Sequence, residues 1–353
     1  MVHHAKVPVG HCRDRRRGSS RAASTNSSHR STADTGHDAR VTGPLDDSGV
    51  ARAALCARVE RHGLIAAECR SLTGGIPDGD GIAMCESIDL VGRAAYVQKG
   101  LQIIARAPSL GELVTTVGTV DFHADQFRID VHDPSDRLDL STQEVATRLA
   151  DVIAYGPNLK QPQHRFVVAV SGDELLFGEV MFETDASYRR HDSKPWTTSS
   201  SLDGRFARAP VNLVPDARSV LDPCCGAGSI VLEAASLGLD ASGVDWKPAM
   251  AGMTRENLAH FGYAATVVQA DSRTYDQPAD AVVTDLPYGH AIDADERTTR
   301  AVLDRCIELA PTGVFVAPAD FTLWLEAAGY TDIELCTVNK RAGFTRWVHI
   351  VRR

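Results

Sequence analysis

Lysine is almost missing from this 353-residue sequence, where only Lys6, Lys99, Lys160, Lys194, Lys247 and Lys340 occur. The formal net charge is -9, which is awkward for a nucleic-acid binder because phosphate contacts need Lys and Arg. Aspartate is plentiful instead, and such a surface resists salt-induced association. No apolar run approaches the roughly 18–20 residues that span a bilayer. The N-terminus is basic but has no apolar stretch of the kind that marks a secretory signal, so the expected location is cytoplasmic and no membrane partner is expected. The C-x-x-C pair is missing too. The eight cysteines (Cys12, Cys56, Cys69, Cys85, Cys224, Cys225, Cys306 and Cys336) suggest neither a zinc nor a thioredoxin-like site, and no metal is expected. They read as small apolar fillers. Internal repeats are also missing.

What is present suits two domains and a tail. Residues 1–48 are rich in Ser, Arg, His, Thr, Gly and Asp without an apolar period, and are expected to be a disordered tail. Residues 49–187 read as a small α+β domain. Phe127-Arg128-Ile129-Asp130-Val131 alternates like a half-buried strand. Ser141-Thr142-Gln143-Glu144 is a capping box, the helix that follows carries Val145, Leu149, Val152 and Ile153, and Tyr155-Gly156-Pro157 stops it. Two further strands flank the turn Ser171-Gly172-Asp173. Residues 188–213 read as a polar connector ending in a lead-in helix.

From 214 to 353 strands and helices alternate. Strands are expected at 219–222, 242–245, 266–270, 281–284, 314–316, 333–338 and 347–351, and helices at 229–237, 249–260, 298–309 and 321–328. Such alternation predicts an α/β, doubly wound, mostly parallel seven-stranded sheet whose last two strands form an antiparallel hairpin.

Val220-Leu221-Asp222-Pro223-Cys224-Cys225-Gly226-Ala227-Gly228-Ser229 runs from a strand through a glycine turn into a helix. Gly226 and Gly228 let a ligand approach the backbone. Asp245 ends the next strand, where a carboxylate accepts ribose hydroxyls, and Asp271 ends the third, where one accepts an adenine amino group. Asp222 beside the turn would repel a pyrophosphate but suits a cationic sulfonium or amino group, which favours S-adenosylmethionine over a nicotinamide dinucleotide. The expected cofactor set is Asp222, Cys225, Gly226, Gly228, Asp245, Trp246, Asp271, Ser272 and Asp285.

Asp285-Leu286-Pro287-Tyr288 follows the fourth strand, and these four are the expected catalytic residues. An aromatic amine is a poor nucleophile because its lone pair is delocalised into the ring. Acceptors that hold the amino hydrogens free the lone pair. Asp285 supplies one such acceptor and takes the proton. The Leu286 carbonyl supplies another, held in an extended turn by Pro287. Tyr288 offers a face for an unstacked base.

These residues resemble the amino-methyltransferases with a [DNS]-P-P-[YF] motif and, more narrowly, the THUMP-containing tRNA guanine-N2 methyltransferases. Asp222-Pro223-Cys224-Cys225-Gly226-Ala227-Gly228 with Leu232-Glu233-Ala234 is similar to the family's D-P-F-C-G-S-G…L-E-A signature. The run from Arg205 to Leu213 is similar to its lead-in helix, and Lys340 to Arg346 sits where the family has a basic final hairpin. The resemblance implies a Rossmann-like class I methyltransferase behind a THUMP-like tRNA-binding domain in which residues before about 90 match poorly. It implies methylation of guanosine N2 in tRNA, at position 10 or, in relatives, position 6. Some relatives require a small activating protein, which the sequence leaves open here. Expected tRNA contacts are Arg189, Arg190, Lys194, Arg341 and Arg346.

Three departures stand out. Leu286 replaces the first proline, Cys224 an aromatic, and Pro210 a Met inside the lead-in helix. A DNA amino-methyltransferase shares the catalytic logic, but the α+β front domain favours RNA. A protein-glutamine methyltransferase would carry Asn at position 285. The intact Asp222, Asp245, Asp271 and Asp285 oppose a non-catalytic subunit.

Overall fold

The computed structural model describes residues 50–57, 62–120, 122, 124–153, 156–286, 296–341 and 344–353. The expected N-terminal tail, Tyr155, Pro287 and Tyr288 lie outside these residues, as does the tip of the final hairpin at Ala342 and Gly343.

The second half forms one seven-stranded sheet. In chain order its strands are β7 (Ser219–Asp222), β8 (Asp240–Asp245), β9 (Thr266–Gln269), β10 (Ala281–Asp285), β11 (Thr312–Ala317), β12 (Asp332–Arg341) and β13 (Phe344–Arg352). Their order across the sheet is β12-β13-β11-β10-β7-β8-β9. The five strands from β11 to β9 are parallel, while β13 runs antiparallel to both β11 and β12. The chain moves outward from β7 in one direction through β8 and β9, then returns to build β10 and β11 on the other side. The order thus reverses between β7 and β10, and the crevice beyond their carboxyl ends is where open α/β sheets take ligands.

Side chains alternate across this sheet with period two. Val220, Ala281, Val283, Val314 and Val316 point to one core, and Leu221, Val282 and Phe315 to the other. The helices α4 (Gly204–Asn212), α5 (Ser229–Ser236) and α6 (Pro248–Phe261) cover the first face, and α7 (Glu296–Leu309) and α8 (Thr322–Ala328) the second. Burying each such aliphatic side chain is worth about 2 kcal/mol.

The first half is a six-stranded sheet of β1 (Arg52–Cys56), β2 (Ile82–Cys85), β3 (Val97–Ala107), β4 (Phe127–His132), β5 (His164–Ser171) and β6 (Glu174–Glu183), in the order β2-β1-β3-β6-β5-β4. Among its described strands β4 and β5 pair in parallel and the other neighbours antiparallel. The helices α2 (Leu110–Thr119) and α3 (Thr142–Ala150) pack on one face around Phe127, Phe166 and Phe177. The capping box at Ser141 and Glu144 forms as expected. The remaining helix, α1 (His62–Thr73), turns the other way and buries Leu64, Ile65 and Leu72 in a core shared by the two halves.

Residues 188–213 are not a solvated connector. Tyr188, His191, Lys194, Phe206, Arg208 and Asn212 are all buried. Asp203 caps α4 by accepting from the Phe206 N–H over 2.8 Å, and Gly204 is required because a Cβ there would lie 2.2 Å from the Tyr188 carbonyl oxygen. Pro210 sits near the end of α4 without breaking it.

Asn212 joins the halves. It donates to the Glu68 carboxylate over 2.7 Å and accepts from Arg93 Nε over 2.9 Å. Glu68 in turn accepts from the amides of Ala95 and Tyr96 over 2.8 and 2.6 Å.

Candidate active site at the carboxyl edge of the second sheet

Asp222 ends β7 and is 3% exposed. Its Oδ1 accepts from the Thr284 hydroxyl over 2.7 Å and from the Cys224 N–H over 3.1 Å. Burial pushes this carboxyl up to about 7, and the charges of Asp285 and Asp245 push the same way against those two hydrogen bonds. Carboxylates that raise one another in this way are stabilised by a cation placed between them.

The turn that follows is bent by glycine at two positions, Gly226 with φ +54° and Gly228 with φ +81°. A Cβ on Gly228 would strike the Thr254 side chain at 2.5 Å. A Cβ on Gly226 would meet no described atom within 4 Å, so the turn faces open space among the described residues at that point. The Cys225 N–H donates to the Val244 carbonyl over 2.9 Å, tying the turn to β8.

Asp245 ends β8. Its two oxygens accept from the Gly226 and Lys247 amides over 3.0 and 2.9 Å. Burial nevertheless raises its carboxyl above the ordinary range. Each oxygen keeps a second acceptor direction. Trp246 beside it is 61% exposed, with the Lys247 ammonium 5.1 Å from its ring centroid.

Asp271 lies two residues beyond the end of β9. Its carboxylate is held by the Arg273 guanidinium, with Nη2 to Oδ2 at 2.6 Å, which keeps it below the usual carboxylate range. Ser272 is buried and donates its hydroxyl to the Pro223 carbonyl, fastening this loop to the glycine turn.

Asp285 is the last residue of β10, beside β7. Leu286 is 1% exposed in the core formed with Leu221, Val244 and Leu303, and its N–H donates to the Val316 carbonyl over 2.9 Å. The leucine side chain therefore anchors the end of β10, at the position that is proline in the [DNS]-P-P-[YF] motif.

The structure thus brings Asp222, Cys225, Gly226, Gly228, Asp245, Asp285 and Leu286 to one edge, with Trp246, Asp271 and Ser272 on the flanking loops. Two of the expected tRNA contacts need correction. Lys194 is 7% exposed and donates to the Leu202 carbonyl over 3.2 Å. Arg346 is 2% exposed, with its guanidinium carbon 4.9 Å from the Phe206 ring centroid. Neither faces solvent, because each long cation found a partner that only tertiary packing supplies. Arg189 and Arg190 are exposed, and Arg190 donates to the Tyr263 hydroxyl.

Sequence reading missed Thr284, Thr254 and Asn257. The last two are fully buried polar residues three apart on α6, on the face that carries Ala251 and Leu258, and that interruption of an apolar stripe was a usable signal.

No described helix is long and apolar enough to cross a membrane. Residues 191–310 match the UPF0020 family, described as RMKL-like, methyltransferase domain. A tRNA (guanine(10)-N2)-dimethyltransferase of Methanothermobacter thermautotrophicus is 32% identical over 179 residues, which is 46% of this chain and 53% of the relative. The enzyme of the same name from Pyrococcus abyssi is 32% identical over 143 residues, 38% of this chain and 44% of the relative. The chain spans about half the length of these curated relatives. Among solved structures, TrmN from Thermus thermophilus aligns with a TM-score of 0.48 at 18% identity, over 86% of this chain and 100% of that one. Residues 191–310, which contain the carboxyl-edge site, are thus the part of the chain that is similar to the RMKL-like methyltransferase domain of UPF0020.

Proposed function

We propose that the chain transfers a methyl group from S-adenosylmethionine to the exocyclic N2 of a guanosine in tRNA, at position 10, and that the same site adds a second methyl. The observation that carries this reading is the buried Asp222 carboxyl beneath the glycine turn, with Asp285 at the end of the neighbouring strand. The residues present fit the cofactor. The open space at Gly226 leaves room beside the backbone, Asp222 suits its cationic end, and Asp245 retains acceptor directions for ribose hydroxyls. Asp271 would exchange its Arg273 contact for the adenine amine, an exposed pair worth about 1 kcal/mol or less.

S-adenosylmethionine supplies an electrophilic methyl group. Asp285 would accept a hydrogen bond from the guanine amine and take its proton as the N–C bond forms and the cofactor's S–C bond breaks, S-adenosylhomocysteine being the leaving group. The Leu286 carbonyl holds the other amino hydrogen, and its backbone is fixed by the bond to Val316 and the buried side chain. Tyr288 supplies the stacking face. The front sheet acts as a THUMP-like tRNA-binding unit, with Arg189 and Arg190 among the phosphate contacts.

The test is incubation with labelled S-adenosylmethionine and undermodified tRNA, then nuclease mapping and mass spectrometry. N2-methylguanosine and N2,N2-dimethylguanosine are expected at position 10. A mark at position 6 would keep the chemistry and change the docking. Failure of every tRNA to accept methyl would overturn the substrate assignment.

A further inference from the structure

The glycine turn is held from behind by one face of α6. Thr254 and Asn257 stand three residues apart on that face, and both are 0% exposed. The Thr254 hydroxyl donates to the Gly226 carbonyl over 2.8 Å. Asn257 Nδ2 donates to the Ala227 carbonyl over 2.8 Å. Two consecutive peptide planes are thereby fixed by their oxygens. A trans peptide points its N–H opposite to its C=O, so the Ala227 N–H is directed away from α6.

Asn257 also reaches a second segment. Its Oδ1 accepts from the Trp196 N–H and its Nδ2 donates to the Trp196 carbonyl, each over 2.9 Å. One side chain thus imitates a strand partner for residue 196 while holding the turn. Glu256 adds a bond from Trp196 Nε1 over 2.5 Å. Six residues later the Leu202 carbonyl is gripped by the Ser229 hydroxyl over 3.1 Å, in the first turn of α5 just beyond Gly228. Residues 196–202 therefore run as a strap from α6 to the start of α5, alongside the glycine turn, with Asn257 as the side chain common to both.

We propose that Asn257, assisted by Thr254, is a positioning residue for the cofactor. It locks turn and strap into one preformed cradle, so that binding does not have to order them. The inference rests on the cofactor reading above. It assigns Asn257 no contact with the cofactor.

The test uses the full chain and S-adenosylmethionine in titration calorimetry. The variants are Asn257→Leu, Thr254→Val and, as a stability control, Leu258→Ala, whose side chain packs in the core beside the same helix. Asn257→Leu is expected to weaken binding about tenfold or more, as losing a set of buried hydrogen bonds that order the cradle would. Amide exchange at Trp196 should quicken in the same variant. Leu258→Ala should lower the thermal midpoint at least as far yet leave affinity within about threefold. Affinity unchanged within twofold in Asn257→Leu, or an equal loss in Leu258→Ala, overturns the proposal. Should Asn257→Leu not fold, Thr254→Val decides: a loss of about threefold or more supports the cradle, and wild-type affinity rejects it. A wild-type chain that binds no S-adenosylmethionine would overturn the functional reading itself, a result distinct from any of these.

Discussion

Thr284 on β10 donates its hydroxyl hydrogen to Asp222 on the neighbouring strand β7, over 2.7 Å, inside a crevice where both residues are buried. This bond favours the charged carboxylate, yet burial wins and the Asp222 carboxyl rises to about 7. The folded-state value lies above the ordinary one, so the protonated form is favoured on folding. The contribution of this side chain is at its most favourable below about 4, where it is neutral in both states, and is lost as pH rises through about 7, where folding buries a charge. Asp222→Asn should therefore match the wild type near pH 4 and exceed it at pH 8 by about 1–3 kcal/mol in urea unfolding. It should also lose most cofactor affinity. Wild-type affinity should fall as pH drops below about 7, because the carboxylate that faces a cation becomes neutral. An affinity flat from pH 5.5 to 8.5 would contradict this assignment.

Asp285→Ala separates chemistry from binding. Its carboxylate is assigned to the amine and its proton, whereas the glycine turn and Asp245 bear on the cofactor. Turnover should be abolished with cofactor affinity kept within about tenfold. A variant with half the wild-type rate would remove Asp285 from the mechanism.

The two glycines of the turn should fail differently when changed to alanine. Both need positive φ, which costs a side chain about 1–2 kcal/mol. At Gly228 the new methyl also strikes Thr254, so Gly228→Ala should lower stability further, and Thr254→Ala in the same chain should return part of that loss. At Gly226 the methyl enters open space among the described residues. Gly226→Ala should therefore cost only the backbone strain while weakening the cofactor more than tenfold. Equal stability losses in the two single variants would show that the Thr254 contact is unimportant.

The second sheet was legible because its signals are local. Each expected strand has its counterpart within a few residues, since a buried parallel strand between glycine turns and amphipathic helices needs no distant partner to be recognised. The front half was harder. β3, its central strand, escaped notice because the register shifts between Gly100 and Leu101 and between Ile103 and Ala105 break the alternation that marks a strand. At the site, strand ends and glycines could be read from spacing. The hold of Thr254 and Asn257 on the turn could not, because it depends on where α6 docks. The same holds for Lys194 and Arg346, cations whose burial depends on a carbonyl and a ring brought from elsewhere in the chain.

Glu233 offers the sharpest test of how residues 188–213 are held. Its carboxylate on α5 is 0% exposed and joins two side chains, the His191 ring at 2.6 Å and the Arg208 guanidinium at 2.7 Å. Arg208 extends the link to the Ser187 and Ser236 hydroxyls and to the Arg93 carbonyl of the front half. Removing one partner of such a pair strands a buried charge. Glu233→Gln preserves shape and volume but leaves Arg208 without its counter-charge, so unfolding free energy should fall by about 3–5 kcal/mol. Replacing both partners by neutral residues, Glu233→Gln with Arg208→Met, removes the stranded charge and should be less harmful than the two single losses added together. Urea unfolding of the four proteins closes this double-mutant cycle. Strict additivity would mean that the two side chains, although 2.7 Å apart, contribute independently, and the ion pair would lose its claim to hold the connector in place.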